Sequence, residues 1–444
     1  MKNLDESLMQ GEYRVLPSGA LCGSIRVPGD KSISHRAVML ASLAEGTSLV
    51  RGFLEGSDCA ATLNAFQKMG VASERREDCL AIHGRGLRCF TPPRDILDMG
   101  NSGTGTRLLL GILAGQPFSA TVTGDSSLRG RPMKRVTEPL TRMGAKFTRL
   151  EEGSDLPLRV EGGPLRGIEF PSPVASAQVK SALLLAGLFA EGRTAVEEPA
   201  LSRDHTERML ETFGVTVERG RLRCAVTGGQ TLTARDVWIP GDFSSAAFFM
   251  VAAAIRPGSD LVIQEVGVNP TRTGLLHALR AMGAHITLRH QKYFGAEPVA
   301  DIHVIHSPLR GTRVEGDLVV RMIDEFPIFA VAAACASTPS VVTGAEELRV
   351  KESDRIAVIV GELGKFGVEL REHPDGFEVR GGTELTGAKC FAHGDHRIAM
   401  GLSVAGLAAK GETWIQGAAP VATSFPGFFD LLNDLTGGRV EHVS

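Results

Sequence analysis

A helix-and-glycine motif that returns about every seventy residues constrains the fold of this chain more than any other feature. In each copy an amphipathic helix ends at a glycine and strand-like residues follow at once, as in FQKMGVAS, LTRMGAKF and LRAMGAHITL. Glycine is expected there because the chain turns into the left-handed region at the helix end. The spacing predicts six copies of one small α/β unit with two helices and about four short strands. The capping glycines are Gly70, Gly144, Gly214, Gly283 and Gly367, with a degenerate sixth copy near Gly437.

Each copy also contains a helix of small apolar residues, and most of these helices close at a glycine, as in RLLLGILAG and AMGLSVAGLAAKG. A helix that is apolar on nearly every side belongs in a core wrapped by other elements. Pro-Gly-Asp turns at 28–30 and 240–242 lie three copies apart and mark places where the chain passes between two lobes. We therefore predict one lobe of residues 1–28 and 240–444 and a second lobe of residues 29–239.

Composition excludes several classes of protein. The formal net charge is −3 and aromatic residues make up 5% of the 444 residues, which argues against nucleic-acid binding. The polar start MKNLDESLMQGEYR predicts no signal peptide. The longest apolar runs, AAFFMVAAAI and FPIFAVAAACA, are far shorter than the roughly 20 residues that span a bilayer. The 7 cysteines include no C-x-x-C pair, so we predict a cytoplasmic protein that binds neither membrane nor nucleic acid.

Permanent cations at the starts of the apolar helices are unexpected, because the exposed N–H groups there already carry partial positive charge. Anions bound against those N–H groups would relieve the repulsion, so the sequence predicts a cleft for more than one anionic group. The fourth copy, GDFSSAAFF, has no cation at its helix start and is interpreted as a unit without a ligand. The cations and their polar neighbours elsewhere are Lys31, Arg36, Arg107, Arg129, Arg131, Gln178, Lys180, Lys351, Arg355, His396 and Arg397.

Two carboxylates are candidates for acid–base chemistry, because basic residues next to them would keep them ionised. Asp324 starts the fifth apolar helix and Glu352 lies within VKESDRI. From the pattern alone, Asp324 is equally a helix N-cap and Glu352 equally a salt-bridge partner.

Other site types are disfavoured. GNSGTGTR is not a nucleotide P-loop, because Arg107 stands where Lys-Ser/Thr is required. His393 and His396 lack a third ligand cluster for a metal. No G-x-S-x-G elbow of a serine hydrolase is present.

Seven blocks of the chain resemble the signatures of the 5-enolpyruvylshikimate-3-phosphate synthase family. They are PGDKSISHRA, GNSGTGTR, GRPM, ASAQVKSALL, GDFSSAAFF, RVKESDR and GDHRIAM, and they occur in the family's order between about residue 17 and residue 430. The resemblance implies a two-lobe inside-out α/β barrel built from six βαβαββ units, three per lobe. It also implies a monomer.

The resemblance implies a reaction of the shikimate pathway, which leads to the aromatic amino acids. The 5-hydroxyl of shikimate 3-phosphate attacks C2 of phosphoenolpyruvate as C3 is protonated, and the tetrahedral intermediate then expels phosphate. Both substrates carry a phosphate and a carboxylate, which accounts for the cations. No metal or organic cofactor is implied.

The family's motifs also imply roles for individual residues. Asp324 would accept the proton of the 5-hydroxyl, Glu352 would donate a proton to C3, and Lys31 would serve both substrates. Gly103 would lie against the phosphoenolpyruvate site, where the longer inhibitor glyphosate also binds. The shikimate 3-phosphate contacts would be Lys31, Ser32, Arg36, Ser176, Ala177, Gln178, Ser202 or Arg203, Asp324 and Lys351. The phosphoenolpyruvate contacts would be Lys31, Gly103, Arg131, Arg355 and Arg397.

Three positions differ from one well-known branch of the family. ATSFP at 422–426 has no lysine near Thr423, Leu108 replaces a proline, and Glu347 replaces an asparagine. Two alternatives are a UDP-N-acetylglucosamine enolpyruvyl transferase and a phosphosugar-binding protein without catalysis. The first carries a cysteine on the loop after the second copy's apolar helix, and AGQPFSATVTGDSSLRGRP contains none. The second would not need Asp324 and Glu352.

Overall fold

The computed structural model describes residues 11–443. Residues 1–10, which carry most of the segment that predicts no signal peptide, lie outside this range. Within it, no helix is both long enough and apolar enough to cross a bilayer.

Fourteen α-helices occur among residues 11–443. The short segments Glu346–Val350 and Ala419–Thr423 are 3₁₀ helices. The α-helices are α1 (Lys31–Leu43), α2 (Ser57–Lys68), α3 (Gly103–Ala114), α4 (Ser126–Arg129), α5 (Lys134–Met143), α6 (Ala177–Gly187), α7 (His205–Thr212), α8 (Phe243–Ile255), α9 (Gly274–Ala281), α10 (Asp317–Arg321), α11 (Phe326–Ala334), α12 (Arg355–Gly364), α13 (His396–Ala408) and α14 (Phe428–Thr436).

The same part of the chain forms 26 strands. They are β1 (Glu12–Val15), β2 (Cys22–Arg26), β3 (Glu45–Arg51), β4 (Ala72–Arg75), β5 (Cys79–Arg85), β6 (Leu97–Asp98), β7 (Ser119–Thr123), β8 (Lys146–Arg149), β9 (Leu158–Glu161), β10 (Leu165–Arg166), β11 (Glu169–Pro171), β12 (Ala190–Glu191), β13 (Arg193–Glu197), β14 (Val217–Arg219), β15 (Arg223–Thr227), β16 (Val237–Trp238), β17 (Asp260–Gly267), β18 (His285–Phe294), β19 (Glu297–Ile305), β20 (Arg313–Val314), β21 (Ser340–Val342), β22 (Leu370–His373), β23 (Gly376–Val379), β24 (Lys389–Phe391), β25 (Thr413–Gln416) and β26 (Val440–Val443).

The described strands form six four-stranded sheets and one parallel pair, β10–β12. In each four-stranded sheet a short outer strand pairs in parallel with a longer strand, which pairs antiparallel with a third. The strand orders are β24-β25-β1-β26, β11-β13-β15-β14, β16-β3-β5-β4, β18-β19-β17-β2, β20-β21-β23-β22 and β6-β7-β9-β8. The fold is therefore mixed α/β, with one arrangement of strands used repeatedly.

The capping glycines have the predicted backbone conformation. All six have a positive φ, from 66° at Gly437 to 123° at Gly144. Glycine lacks the Cβ that makes this region unfavourable, so each amphipathic helix can end there without strain. This part of the sequence prediction is confirmed.

Residue contacts divide the chain into two compact units. The split unit comprises the described residues up to Pro28, with 241–292 and 298–444, and the inserted unit comprises 29–240 and 293–297. The sequence-based boundaries differ at Pro240 and at 293–297. Pro240 belongs with the inserted unit, where its carbonyl accepts the N–H of Asp30 at 2.8 Å.

The five residues 293–297 at the turn between β18 and β19 also belong with the inserted unit. Glu297 Oε1 lies 2.7 Å from His205 Nδ1, and the carbonyl of Ala296 accepts from Arg208 at 2.8 Å. Both partners are on α7, so these contacts attach the turn to that helix. The hydrophobic period of a hairpin carries no information about the partner of its turn.

Each unit has its own hydrophobic core built around the apolar helices. In the split unit α8 is buried from Phe243 to Ala254. In the inserted unit α3 packs so closely on α6 that a Cβ at Gly111 would lie 2.2 Å from the carbonyl oxygen of Ala182. The cores fix the helix starts, which carry the polar residues of interest.

Candidate active site

In the inserted unit, the start of α1 presents Lys31, Ser32 and Arg36. The side chain of Asp30 accepts the N–H of Ile33 at 2.9 Å and caps the helix. Lys31 forms an ion pair with Asp58. Ser32 is half-buried and follows Lys31 in the first turn.

Arg36 is buried, and several of its donors are satisfied within the unit. Its Nε donates to Thr206 Oγ1 at 2.7 Å, Nη2 to Ser181 Oγ at 2.9 Å and Nη1 to the carbonyl of Ser32 at 2.9 Å. Burial lowers the pKa of Arg36 to about 10, and the positive charge of Arg203 contributes to the same shift. Arg203 is therefore close enough to Arg36 to form one cationic region with it.

A second group surrounds the start of α3, where Ser102 Oγ accepts the N–H of Gly105 at 3.0 Å. Arg107 donates to Gln178 Oε1 at 2.5 Å, and Arg131 donates to Asn101 Oδ1 at 2.6 Å. A Cβ at Gly103 would lie 3.1 Å from Arg131 Nη1 and 3.2 Å from Arg107 Nη1. The glycine therefore lies between two guanidinium groups, an arrangement suited to an anion.

The start of α6 presents Ser176, Ala177 and Gln178. Ser176 Oγ accepts the N–H of Val179 at 3.4 Å, and Gln178 Nε2 donates to Thr104 Oγ1 at 2.9 Å. Ser176 and Ala177 are half-buried at this first turn. The structure thus brings Gln178 together with Gly103 and Arg131.

The interpretation of Lys180 as a cation for a ligand is wrong. Its side chain is 2% exposed, and Nζ lies 2.8 Å from carboxylate oxygens of both Glu198 and Glu207. Burial opposes the charge, but the two carboxylates outweigh it and raise the pKa of Lys180. Ser202 Oγ donates to Glu198, so the buried ions anchor the segment that carries Ser202 and Arg203.

In the split unit, Arg355 connects three carboxylates and is fully buried. Its Nε donates to Asp395 Oδ2 at 2.8 Å, Nη2 to Glu352 Oε2 at 2.7 Å and Nη1 to Asp324 Oδ1 at 3.4 Å. Burial opposes the charge of Arg355, but the carboxylates outweigh it and raise its pKa. Burial likewise opposes ionisation of Asp395, yet Arg355 holds its pKa below the ordinary value.

Asp324 and Glu352 remain accessible while Arg355 holds them. Their side chains are 16% and 19% exposed. Lys351 Nζ lies 3.8 Å from Asp324 Oδ1, and burial lowers the pKa of Lys351. The N-cap position of α11 is Glu325, so the alternative that Asp324 caps this helix is wrong. Glu352 is a salt-bridge partner, as one interpretation predicted.

Arg397 begins beside the same carboxylates. Asp395 caps α13 by accepting the N–H of Arg397 at 2.9 Å. Arg397 Nη1 donates to the carbonyl oxygen of Asp324 at 3.3 Å and lies 4.0 Å from Glu325 Oε1. The predicted residues of this unit, Asp324, Lys351, Glu352, Arg355 and Arg397, therefore form one cluster.

Sequence reasoning missed the acidic partners that hold these cations. Asp58, Asp395, Glu198 and Glu207 lie 27 residues from Lys31, 40 from Arg355, and 18 and 27 from Lys180. No local spacing joins such pairs. Arg107 could have been found, because it lies four residues after Gly103 on one helix face.

The three departures from the family branch occupy different environments. Leu108 is fully buried in α3. Glu347 is close enough to Lys351 to oppose the fall in its pKa. Thr423 ends a 3₁₀ helix, where its hydroxyl donates to the carbonyl of Pro420 at 2.7 Å.

The candidate metal ligands do not converge. His393 Nε2 lies 2.8 Å from Glu362 Oε1. Across residues 11–443, no group of three or more histidine, cysteine, aspartate or glutamate side chains is arranged to hold a metal ion.

Comparisons with known proteins identify the family. The family model "EPSP synthase (3-phosphoshikimate 1-carboxyvinyltransferase)" matches residues 15–432. The 3-phosphoshikimate 1-carboxyvinyltransferase of Desulforamulus reducens is 53% identical, over 96% of this chain and 99% of the relative. That of Pelotomaculum thermopropionicum is 55% identical, over 95% of this chain and 98% of the relative.

A solved structure agrees. EPSP synthase from Acinetobacter baumannii has a TM-score of 0.87 and 46% sequence identity, and the match covers 98% of this chain and 100% of that one. These matches cover both units and favour neither of the two alternatives. The chain belongs to the EPSP synthase family, the 3-phosphoshikimate 1-carboxyvinyltransferases, which transfer the enolpyruvyl group of phosphoenolpyruvate to shikimate 3-phosphate.

Proposed function

We propose that the polar groups of the two units bind the two substrates and perform the chemistry of the family. The observation that carries the proposal is the cluster around Arg355, which holds Asp324 and Glu352 side by side while leaving both accessible. A protein that only binds phosphosugars would have no use for two exposed carboxylates beside its cations.

In the proposed mechanism Asp324 accepts the proton of the 5-hydroxyl as that oxygen attacks C2. Glu352 donates a proton to C3, which gives the tetrahedral intermediate. Loss of that proton from C3 and of phosphate from C2 then forms the enolpyruvyl product. Two bound anions next to Glu352 favour its protonated form, because like charges oppose ionisation. This offsets Arg355, which favours the ionised form.

The proposed shikimate 3-phosphate contacts belong to both units. In the inserted unit they are Lys31, Ser32, Arg36, Ser176, Ala177 and Gln178, with Arg203 preferred over Ser202 for the phosphate. Arg203 is part of a cationic region with Arg36, whereas the Ser202 hydroxyl already donates to Glu198. In the split unit the proposed contacts are Asp324 and Lys351.

The proposed phosphoenolpyruvate contacts are Lys31, Gly103, Arg131, Arg355 and Arg397. The guanidinium groups on either side of Gly103 support this assignment, because planar N–H donors suit carboxylates and phosphates. Lys31 keeps Asp58 as its counter-ion, so it would offer its remaining donors.

We further propose that the six sheets are six βαβαββ units arranged as a two-lobed inside-out α/β barrel. The repeated strand order and the six left-handed capping glycines support it. The protein is proposed to be a cytoplasmic monomer, which agrees with its seven free cysteine thiols.

One assay tests the proposed function. Phosphate release is measured with shikimate 3-phosphate and phosphoenolpyruvate together and with each alone. We expect release only with both. Release with UDP-N-acetylglucosamine in place of shikimate 3-phosphate, or no release with either acceptor, would contradict the proposal.

A further inference from the structure

The fourth copy of the repeat contains a buried polar network, although its helix start carries no cation. Arg272, 2% exposed, donates from Nη2 to Ser244 Oγ at 2.7 Å and to Asp242 Oδ1 at 3.2 Å. Ser244 donates in turn to Glu325 Oε1. The interpretation of this copy as a blank unit is therefore wrong.

The direction of this chain of hydrogen bonds follows from the donors available. A guanidinium can only donate, so Ser244 Oγ accepts from Arg272. The single hydroxyl proton of Ser244 is then available for Glu325. Arg272 thus fixes Ser244, and Ser244 fixes one oxygen of the Glu325 carboxylate.

The network ends at the candidate active site. Glu325 follows Asp324 in the chain, and its side chain is fully buried. The oxygen that Ser244 holds lies 4.0 Å from Arg397 Nη1, the nitrogen that donates to the backbone carbonyl of Asp324 at 3.3 Å. Two acceptors therefore hold one edge of the Arg397 guanidinium.

Holding one edge of a guanidinium has a consequence for ligand binding. The group is planar and its donors form a rigid fork, so fixing one nitrogen orients the others. An arginine ordered before the ligand arrives loses less conformational entropy on binding. The charges also balance within the cluster, since Asp242 faces Arg272 and Glu325 faces Arg397.

We propose that Glu325, held by the Arg272–Ser244 chain, is a positioning residue that orients Arg397 toward an anionic group of phosphoenolpyruvate. This inference rests on the proposed function, which assigns Arg397 to that substrate. Glu325 itself contacts no substrate in this proposal. It acts through Arg397.

The test compares steady-state constants for both substrates in four variants of the full chain. We expect Glu325→Gln to raise KM for phosphoenolpyruvate on the order of tenfold, and Ser244→Ala by a smaller factor of about three. KM for shikimate 3-phosphate should change less than about twofold in both. A merely structural role would lower the unfolding temperature and the amount of active enzyme without separating the two KM values.

The matched control is Glu362→Gln, which alters another buried carboxylate of the split unit, paired with Lys365 and His393. We expect it to leave KM for phosphoenolpyruvate unchanged. The fourth variant, Arg397→Lys, separates the two levels of the argument. If it leaves that KM unchanged, Arg397 is not a phosphoenolpyruvate contact and both the assignment and this inference are wrong.

If Arg397→Lys raises KM for phosphoenolpyruvate but Glu325→Gln and Ser244→Ala do not, only the inference is wrong. A lower KM in Glu325→Gln would also overturn it, because Glu325 would then compete with the substrate for Arg397. Ser244→Ala decides the matter if Glu325→Gln fails to fold.

Discussion

The two accessible carboxylates around Arg355 carry the sharpest prediction at the scale of single residues. Asp324→Asn and Glu352→Gln should each lower kcat by on the order of 10² to 10⁴, because each removes a positioned proton acceptor or donor. Binding of shikimate 3-phosphate, measured by calorimetry, should be largely retained. Glu369→Gln, which alters an exposed carboxylate paired with Arg380, is the control and should leave kcat unchanged. Near-normal turnover in both variants would mean that Asp324 and Glu352 are structural.

Gly103 gives a second prediction at this scale, because an added methyl group would meet Arg131 and Arg107 at 3.1 and 3.2 Å. The ends of flexible side chains can move by a few tenths of an ångström, so the substrate should still bind. Glyphosate is longer and leaves less room, so Gly103→Ala should raise its inhibition constant on the order of tenfold more than KM for phosphoenolpyruvate.

The control for this prediction is Gly361→Ala on α12, where an added Cβ would meet no atom within 4 Å. Inhibition kinetics on both variants give the comparison. Equal rises in the two constants for Gly103→Ala would show that the glycine serves only the turn of the chain. A wild-type enzyme indifferent to glyphosate would contradict the prediction outright.

At the scale of elements, the buried ions of Lys180, Glu198 and Glu207 join α6, α7 and the segment after β13. Removing the cation leaves two carboxylates buried without their partner. Lys180→Met should therefore lower the free energy of unfolding by roughly 3 to 5 kcal/mol. Lys410→Met breaks a pair that is 71% exposed at the lysine, and should cost less than about 1 kcal/mol.

Urea denaturation of the two lysine variants measures the difference. Equal losses of stability would show that the buried ions contribute no more than a surface pair. A lower affinity for shikimate 3-phosphate at unchanged stability would instead mean that Lys180 is a ligand contact after all.

The elements also show what a sequence can reveal. The helix ends were predicted from Gly70 and its equivalents, because a left-handed turn leaves a local trace in the residue type. Lys180 was misread because its partners are 18 and 27 residues away, and a buried lysine and a ligand-binding lysine look alike in sequence. The helix start of the fourth copy was misread for the same reason, since Arg272 lies 28 residues beyond Ser244.

At the scale of the whole molecule, the chain passes between its units at four points. Two of them, at Pro28 and Pro240, coincide with the Pro-Gly-Asp turns. The other two enclose residues 293–297, whose attachment to α7 depends on Glu297 and Ala296. Turn chemistry marked the first pair, and nothing in the residues of the hairpin marked the second.

The attachment of 293–297 to α7 has a genetic consequence. Recombination that exchanges codons 29–240 with those of a relative about half identical would separate α7 from the hairpin turn that evolved against it. A chimera with the foreign 29–240 alone should therefore melt at a lower temperature than one that also receives the relative's 293–297. Thermal unfolding of the two chimeras tests this, and equal melting temperatures would contradict it. Crossovers retained during the divergence of such genes should then carry two separate stretches of DNA together.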